Sequence, residues 1–288
     1  MRILVTTDGS ERSLCVLPHA ARFATATGAE LTLVRVLDPR TDAAGEVAPH
    51  LEEALERVRA RWRDELAGVL AARAISGGVH VAERKWGEDV PATIHRAADE
   101  LGATLLAMDS RGTGAIQHAL FGSVTLGVIS KAGLPVMTLG GCPPLPGYDG
   151  AYHLLITSDG SADARSVLTG LAGVLAPGGI RVTLLEIAIM KALEPEAEAE
   201  ARALASLQPL IDRLPPGIEA EAVARVVPPG AGVDAAIAAA ARELRADAIA
   251  SATHGHSARR HLVAGSTALG VVKLAEVPVI LVKSHAAG

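Results

Sequence analysis

Apolar residues fall along this chain in short continuous runs, and the stretches between them carry apolar positions at helical intervals. Met1–Thr7 is a run of the first kind, ending in the turn Asp8-Gly9-Ser10. Leu14, Leu17, Ala21 and Ala24 follow at helical spacing, and Gly28 closes that segment. Leu31–Leu37 is again nearly continuous. A short continuous run suits a buried strand, whereas a three-to-four spacing puts one face of a helix on a core. The pattern therefore predicts a long helix from Pro49 to Ala74, with Leu51, Leu55, Val58, Trp62, Leu66 and Val69 on one stripe. After Gly77-Gly78 it predicts a strand over Val79–Ala82, a helix over Asp89–Leu101 and a strand over Thr104–Met108. A helix over Ser123–Ala132 and a strand over Val136–Leu139 complete the series.

The second half repeats the plan. Its predicted strands are Leu154–Thr157, Arg181–Ile187, Glu219–Val227, Ala248–Ser251 and Val279–Val282. Its middle helix spans Glu194–Leu214, where Pro209 removes a backbone donor and predicts a kink or an early stop. Alternating strands and helices specify an α/β fold, a parallel sheet with helices on both faces and right-handed crossovers. Ligands in such doubly wound sheets bind at the carboxyl ends of the strands.

The two halves also share wording. Leu154-Leu155-Ile156-Thr157-Ser158-Asp159-Gly160-Ser161 restates Ile3-Leu4-Val5-Thr6-Thr7-Asp8-Gly9-Ser10, an offset of 151 from Asp8 to Asp159. Gly112 precedes Gly122-Ser123 by the same interval that separates Gly255 from Gly265-Ser266, and from 122 to 265 is 143 positions. Leu134-Pro135-Val136-Met137 is answered by Val277-Pro278-Val279-Ile280. A repeat of this length makes two domains, residues 1–140 and 151–288, joined by a linker over 141–150 that is rich in proline and glycine. The first half carries about eight more residues between its landmarks (151 against 143), a difference placed in loops or middle helices.

Composition narrows the function classes. With 49% hydrophobic and 20% charged residues, the 288-residue chain has ample apolar content for two cores. A net charge of −5 and an aromatic content of 2% give no footprint for nucleic acid. No apolar stretch is long enough to span a membrane, the chain opens directly on a strand pattern, and the expected location is the cytoplasm. Cys15 and Cys142 lie far apart and form no metal pattern; they read as a small buried residue and a linker thiol. His254 and His256, two residues apart with no nearby cysteine, read as loop histidines rather than metal ligands. The acids of Glu194–Glu200 read as a solvated helix start.

Two turns at strand ends carry candidate chemistry. A glycine-serine pair opening a helix presents free amides and a positive dipole end, which suit phosphate; the same residues also serve as plain turn and capping residues. Asp8 and Asp159 end the first strand of each half, where an acid can bond ribose hydroxyls, reach a phosphate-held metal, or cap the next helix.

The opening strand with Asp-Gly-Ser, the glycine signature and the closing Pro-Val strand together resemble a tandem universal stress protein, over nearly all of both halves. The resemblance implies a five-stranded parallel sheet of order 3-2-1-4-5 in each half, and membership of either the ATP-binding or the non-binding group of that family. It implies adenine near Val36 and Ile187, and ribose or metal contacts from Asp8 and Asp159, with Thr6 and Thr157 beside them. The phosphate cradle falls on Gly112, Gly122, Ser123 and Val124 in the first half and on Gly255, Gly265, Ser266 and Thr267 in the second. Where the signature has a further glycine, this chain has Asp109 in the first half and Ala252 in the second. Alanine adds one methyl; aspartate adds a carboxylate where polyphosphate would lie, or a group for ribose or Mg²⁺. The second half is thus the preferred site for ATP with Mg²⁺. The leading function is an ATP-binding regulatory protein of the stress response with little or no turnover; a nucleotide-free interaction scaffold and an ATP-cleaving or adenylyl-transfer enzyme are the alternatives. The apolar fifth strands Pro135–Leu139 and Pro278–Val282 would each be a sheet edge, which predicts antiparallel pairing into an internal pseudo-dimer. Family habit extends that expectation to a homodimer.

Overall fold

The computed structural model describes residues 1–43, 50–110, 121–131, 133–147, 150–160, 162–253 and 265–283, with backbone alone for 162–166. In the first half the elements are β1 (Arg2–Thr7), α1 (Leu17–Thr27), β2 (Glu30–Leu37), α2 (Pro39–Asp42), α3 (Leu51–Ala72), β3 (Gly78–Glu83), α4 (Val90–Glu100), β4 (Leu105–Ala107), α5 (Ser123–Lys131) and β5 (Val136–Thr138). The second half runs β6 (Tyr152–Ser158), α6 (Ala162–Leu171), β7 (Ile180–Ile189), α7 (Glu196–Ile211), β8 (Glu219–Val227), α8 (Val233–Glu243), β9 (Ala248–Ala252), α9 (Ser266–Leu274) and β10 (Val279–Val282).

The ten strands among the described residues form one sheet, in the order β3-β2-β1-β4-β5-β10-β9-β6-β7-β8. Each half contributes a parallel five-stranded block in which its first strand lies between its second and fourth. The blocks meet where β10 runs antiparallel to β5, with Val279 opposite Thr138, Ile280 opposite Met137 and Leu281 opposite Val136. The 143-residue offset carries Met137 onto Ile280, so the pairing maps onto itself when the halves are exchanged, as at a two-fold interface. Two apolar edges that would invite aggregation thereby satisfy each other.

Apolar layers cover both faces of this sheet, and each layer draws on both halves. One contains Phe23, Leu33, Leu105, Tyr152, Leu184 and Leu207; the other contains Leu4, Ile94, Leu106, Leu155, Ile249 and Val272. Phe23 of α1 meets Tyr152 of β6 edge to face, with ring centres 5.0 Å apart. Beside them Arg22 grips Asp247 through Nε (3.1 Å) and Nη2 (3.0 Å), and the backbone amide of His153 donates to the same carboxylate at 2.8 Å. The Asp247 side chain is 1% exposed, and three donors drawn from both halves meet its carboxylate.

Three expectations are corrected. Cys15 and Cys142 are neither a buried thiol nor a linker thiol: they form a disulfide across 127 residues, with Cα atoms 5.2 Å apart. Distance in sequence concealed a contact made because the linker folds back over the start of α1, where His19 Nε2 also lies 3.1 Å from the Pro143 carbonyl. The helix expected from Leu14 begins only at Leu17; turns bonded from Leu14 to Glu11 and from Cys15 to Arg12 precede it, and a proline stands in its first turn. The middle helix of the second half is shorter than expected: α7 runs Glu196–Ile211 rather than Glu194–Leu214, and it ends two residues past Pro209, the early stop expected there. Among the described residues the first half has an additional short helix, α2, and α3 has 22 residues against 16 in α7.

Candidate functional site

In both halves β1 or β6 delivers its acid into a tight turn at the carboxyl end of the sheet. Gly9 and Gly160 take φ of +90° and +72°, which a β-carbon would resist, and their amides donate to the hydroxyls of Thr7 (3.0 Å) and Ser158 (3.1 Å). Asp8 also accepts from the Ser10 amide at 2.9 Å; Ser161 lies outside the described residues.

The glycine loops close identically. The Gly122 amide donates to the Ser110 carbonyl at 2.8 Å, and the Gly265 amide donates to the Thr253 carbonyl at 2.5 Å. Each bond brings a helix start to the end of the fourth strand, next to the acid turn. Gly265 is the N-cap of α9, and no side chain caps that helix. Its first-turn amides are therefore available to an acceptor entering the cavity.

A cavity of about 410 Å³ opens at this point in the second half. Thr157, Asp159, Ile187, Ala252, Gly265, Ser266 and Thr267, all expected from sequence, line it together. The counterpart in the first half has about 280 Å³, and Thr6, Asp8, Val36, Asp109 and Val124 line it; Gly122 and Ser123 do not. Gly112 and Gly255 lie outside the described residues, as do His254 and His256.

Three charged residues were not singled out by the sequence. Glu186 and Arg202 line the second cavity. Glu186 is buried; that burial pushes its carboxyl above the ordinary range, against the opposing hydrogen bond from the Ser206 hydroxyl and the nearby Arg202 charge, with Asp159 adding to the rise. A lone acid inside the apolar run Val182–Ile189 was the available signal. Arg202 donates to Glu194 through Nε at 3.1 Å. The strand registers pair Thr7 with Arg35 and Ser158 with Glu186, so the first half has a cation where the second has this acid. Arg35 stacks on Trp62 at 3.7 Å and comes within 2.9 Å of where a β-carbon on Gly9 would stand. The third residue, Arg12, reaches the buried Asp109 carboxylate through Nε at 3.0 Å, across 97 positions that no local spacing could connect.

The family model of the universal stress protein family matches residues 1–139 and 153–283. The chain belongs to the universal stress protein family. A curated Thermus aquaticus relative, the universal stress protein in the QAH/OAS sulfhydrylase 3' region, is 34% identical over 137 residues, which is 47% of this chain and 95% of that protein. A putative universal stress protein of Staphylococcus haemolyticus is 26% identical over 138 residues. Among solved structures, a universal stress protein from Archaeoglobus fulgidus aligns over 100% of this chain and 97% of its own, at 21% identity and a TM-score of 0.63. That likeness establishes a shared two-domain fold.

Proposed function

We propose that the second-half cavity binds ATP with Mg²⁺, and that this universal stress protein is a nucleotide-responsive regulator of the stress response with little or no turnover. One observation carries the reading most. The uncapped start of α9, the small Ala252, the acid Asp159 and the apolar Ile187 all face one cavity at the carboxyl end of the sheet. Amides would hold phosphate, Asp159 the ribose or the phosphate-bound Mg²⁺, and Ile187 one face of the base. Arg202 adds a cation to the lining.

In the cytoplasm, glutathione would hold Cys15 and Cys142 mostly as thiols, so a cytoplasmic role makes the dithiol the resident form. A homodimer would use surfaces other than the β5 and β10 edges, which are already paired.

The test is calorimetric titration of Mg·ATP into the full chain and into Gly265→Val. Gly265 sits at φ −67° and ψ 158°, a region open to any residue, so valine adds bulk without backbone strain. ATP binding should be lost, while Ser266→Ala should cost only about 1–1.5 kcal/mol because the amides remain. Unchanged affinity in Gly265→Val would remove the assignment.

A further inference from the structure

The two cavities differ most where the glycine loop starts. In the first half Asp109 sits one residue before Ser110, whose carbonyl closes that loop. Thr125 in the first turn of α5 donates its hydroxyl to the Asp109 carbonyl at 3.0 Å, which pins the residue against the helix start. Asp109 lines the cavity; its side chain is 2% exposed, and its carboxylate holds Arg12 at 3.0 Å. The offsets of the repeat place Ala252 and Asp163 at the corresponding positions of the second half, so both members of this pair are changed there. No cation lines the first cavity among the described residues, whereas Asp8 and Asp109 both do. The remaining wall is largely apolar, with Val34, Val36, Val90, Ile94 and Met108.

The geometry points to a first cavity that takes a nucleoside and refuses a nucleoside polyphosphate, because the Asp109 carboxylate occupies on Arg12 the seat a phosphate would need. The inference rests on reading the two cavities as a repeated nucleotide pocket. Asp8 stands at the strand end to accept from ribose hydroxyls, and the valine, isoleucine and methionine wall receives a base. A phosphate entering beside α5 would face a fixed carboxylate at close range, and like charges in a partly dry site repel strongly. Arg12 does not relieve this, since its charge is already engaged by Asp109. Removing the carboxylate reverses the situation: Arg12 is left as a cation beside a helix start, a combination that favours phosphate.

Photolabelling of the full chain separates the possibilities. The probes are 8-azidoadenosine and 8-azido-ATP with Mg²⁺, and peptide mass spectrometry assigns the label to residues near Val36 or near Ile187. In the unaltered protein, 8-azidoadenosine should label the first half and 8-azido-ATP should not. Asp109→Ala and the isosteric Asp109→Asn should each raise first-half labelling by 8-azido-ATP about tenfold or more, the equivalent of about 1.4 kcal/mol. Adding Arg12→Ala to either should abolish that gain. Far-ultraviolet circular dichroism of each variant confirms that it is folded. Labelling of the first half of the unaltered protein by 8-azido-ATP as strong as in the Asp109 variants would overturn the inference, as would absence of first-half labelling by 8-azidoadenosine. Second-half labelling by 8-azido-ATP is read from the same digest and reports separately on the proposed function.

Discussion

Glu186 and Arg35 occupy equivalent strand positions with opposite charge, and each lies under the turn that carries its half's aspartate. Arg35 is held by Glu65 and by the face of Trp62 and does not line the first cavity. Glu186 is buried with a single serine hydroxyl donating to it, and burial raises its carboxyl above the ordinary 4.5. A raised pKa in the fold means that the protonated form is favoured there. The associated stability is fully present below the ordinary value and is lost as pH rises through the raised one. Glu186→Gln keeps the shape and removes the titration. Thermal midpoints of the variant should therefore fall less than those of the unaltered protein as pH is raised from about 4.5 toward neutrality. Parallel curves for the two proteins would show that Glu186 titrates normally. Residues whose place follows from local spacing, such as Asp159, Gly265 and Ser266, were legible in the sequence as neighbours of one strand-end cavity. Arg12 was not: its partner Asp109 is supplied by chain folding, 97 positions away.

At the scale of elements, strands and helices were legible because their periodicities are strong: β8 and β10 coincide with the predicted ranges, and α4 ends within one residue of its prediction at both ends. Ends governed by local competition were not. Ser10 accepts the Ser13 amide at 3.2 Å and holds residues 11–16 in turns, so α1 starts late although Leu14 is buried as its spacing implied. Pro209 sits in the last turn of α7, where the missing donor and the ring leave only two further helical residues, so the helix ends at Ile211, short of the predicted Leu214. The element with least sequence signal is the clasp from the turns before α1 to the linker. The Cys15–Cys142 bond closes 127 residues of chain, and it limits the unfolded ensemble more than the folded one. Cys142→Ser should lower unfolding stability by about 2–4 kcal/mol in denaturant titration under oxidising conditions. The difference should vanish when both proteins are fully reduced. Equal stability under oxidising conditions would mean that the bond is not formed in solution.

At the scale of the whole molecule, duplication alone would leave two interchangeable halves, and the backbone nearly does. The sheet is continuous across a symmetric β5–β10 seam, and the two glycine loops close with the same hydrogen bond. Side chains break that symmetry. Arg22 and Asp247 join the halves on one side, where the repeat offsets put Gly173 and Thr104 on the other. The second cavity is larger, is lined by Gly265 and Ser266, and has Ala252 where the first has Asp109. The two cavities should therefore be used unequally, the second alone taking ATP. Native mass spectrometry of the full chain equilibrated with excess Mg·ATP counts bound nucleotide directly. The prediction is one ATP on each 29.5 kDa chain, lost in Gly265→Val. No bound ATP, or two equivalent ATP molecules per chain, would contradict it.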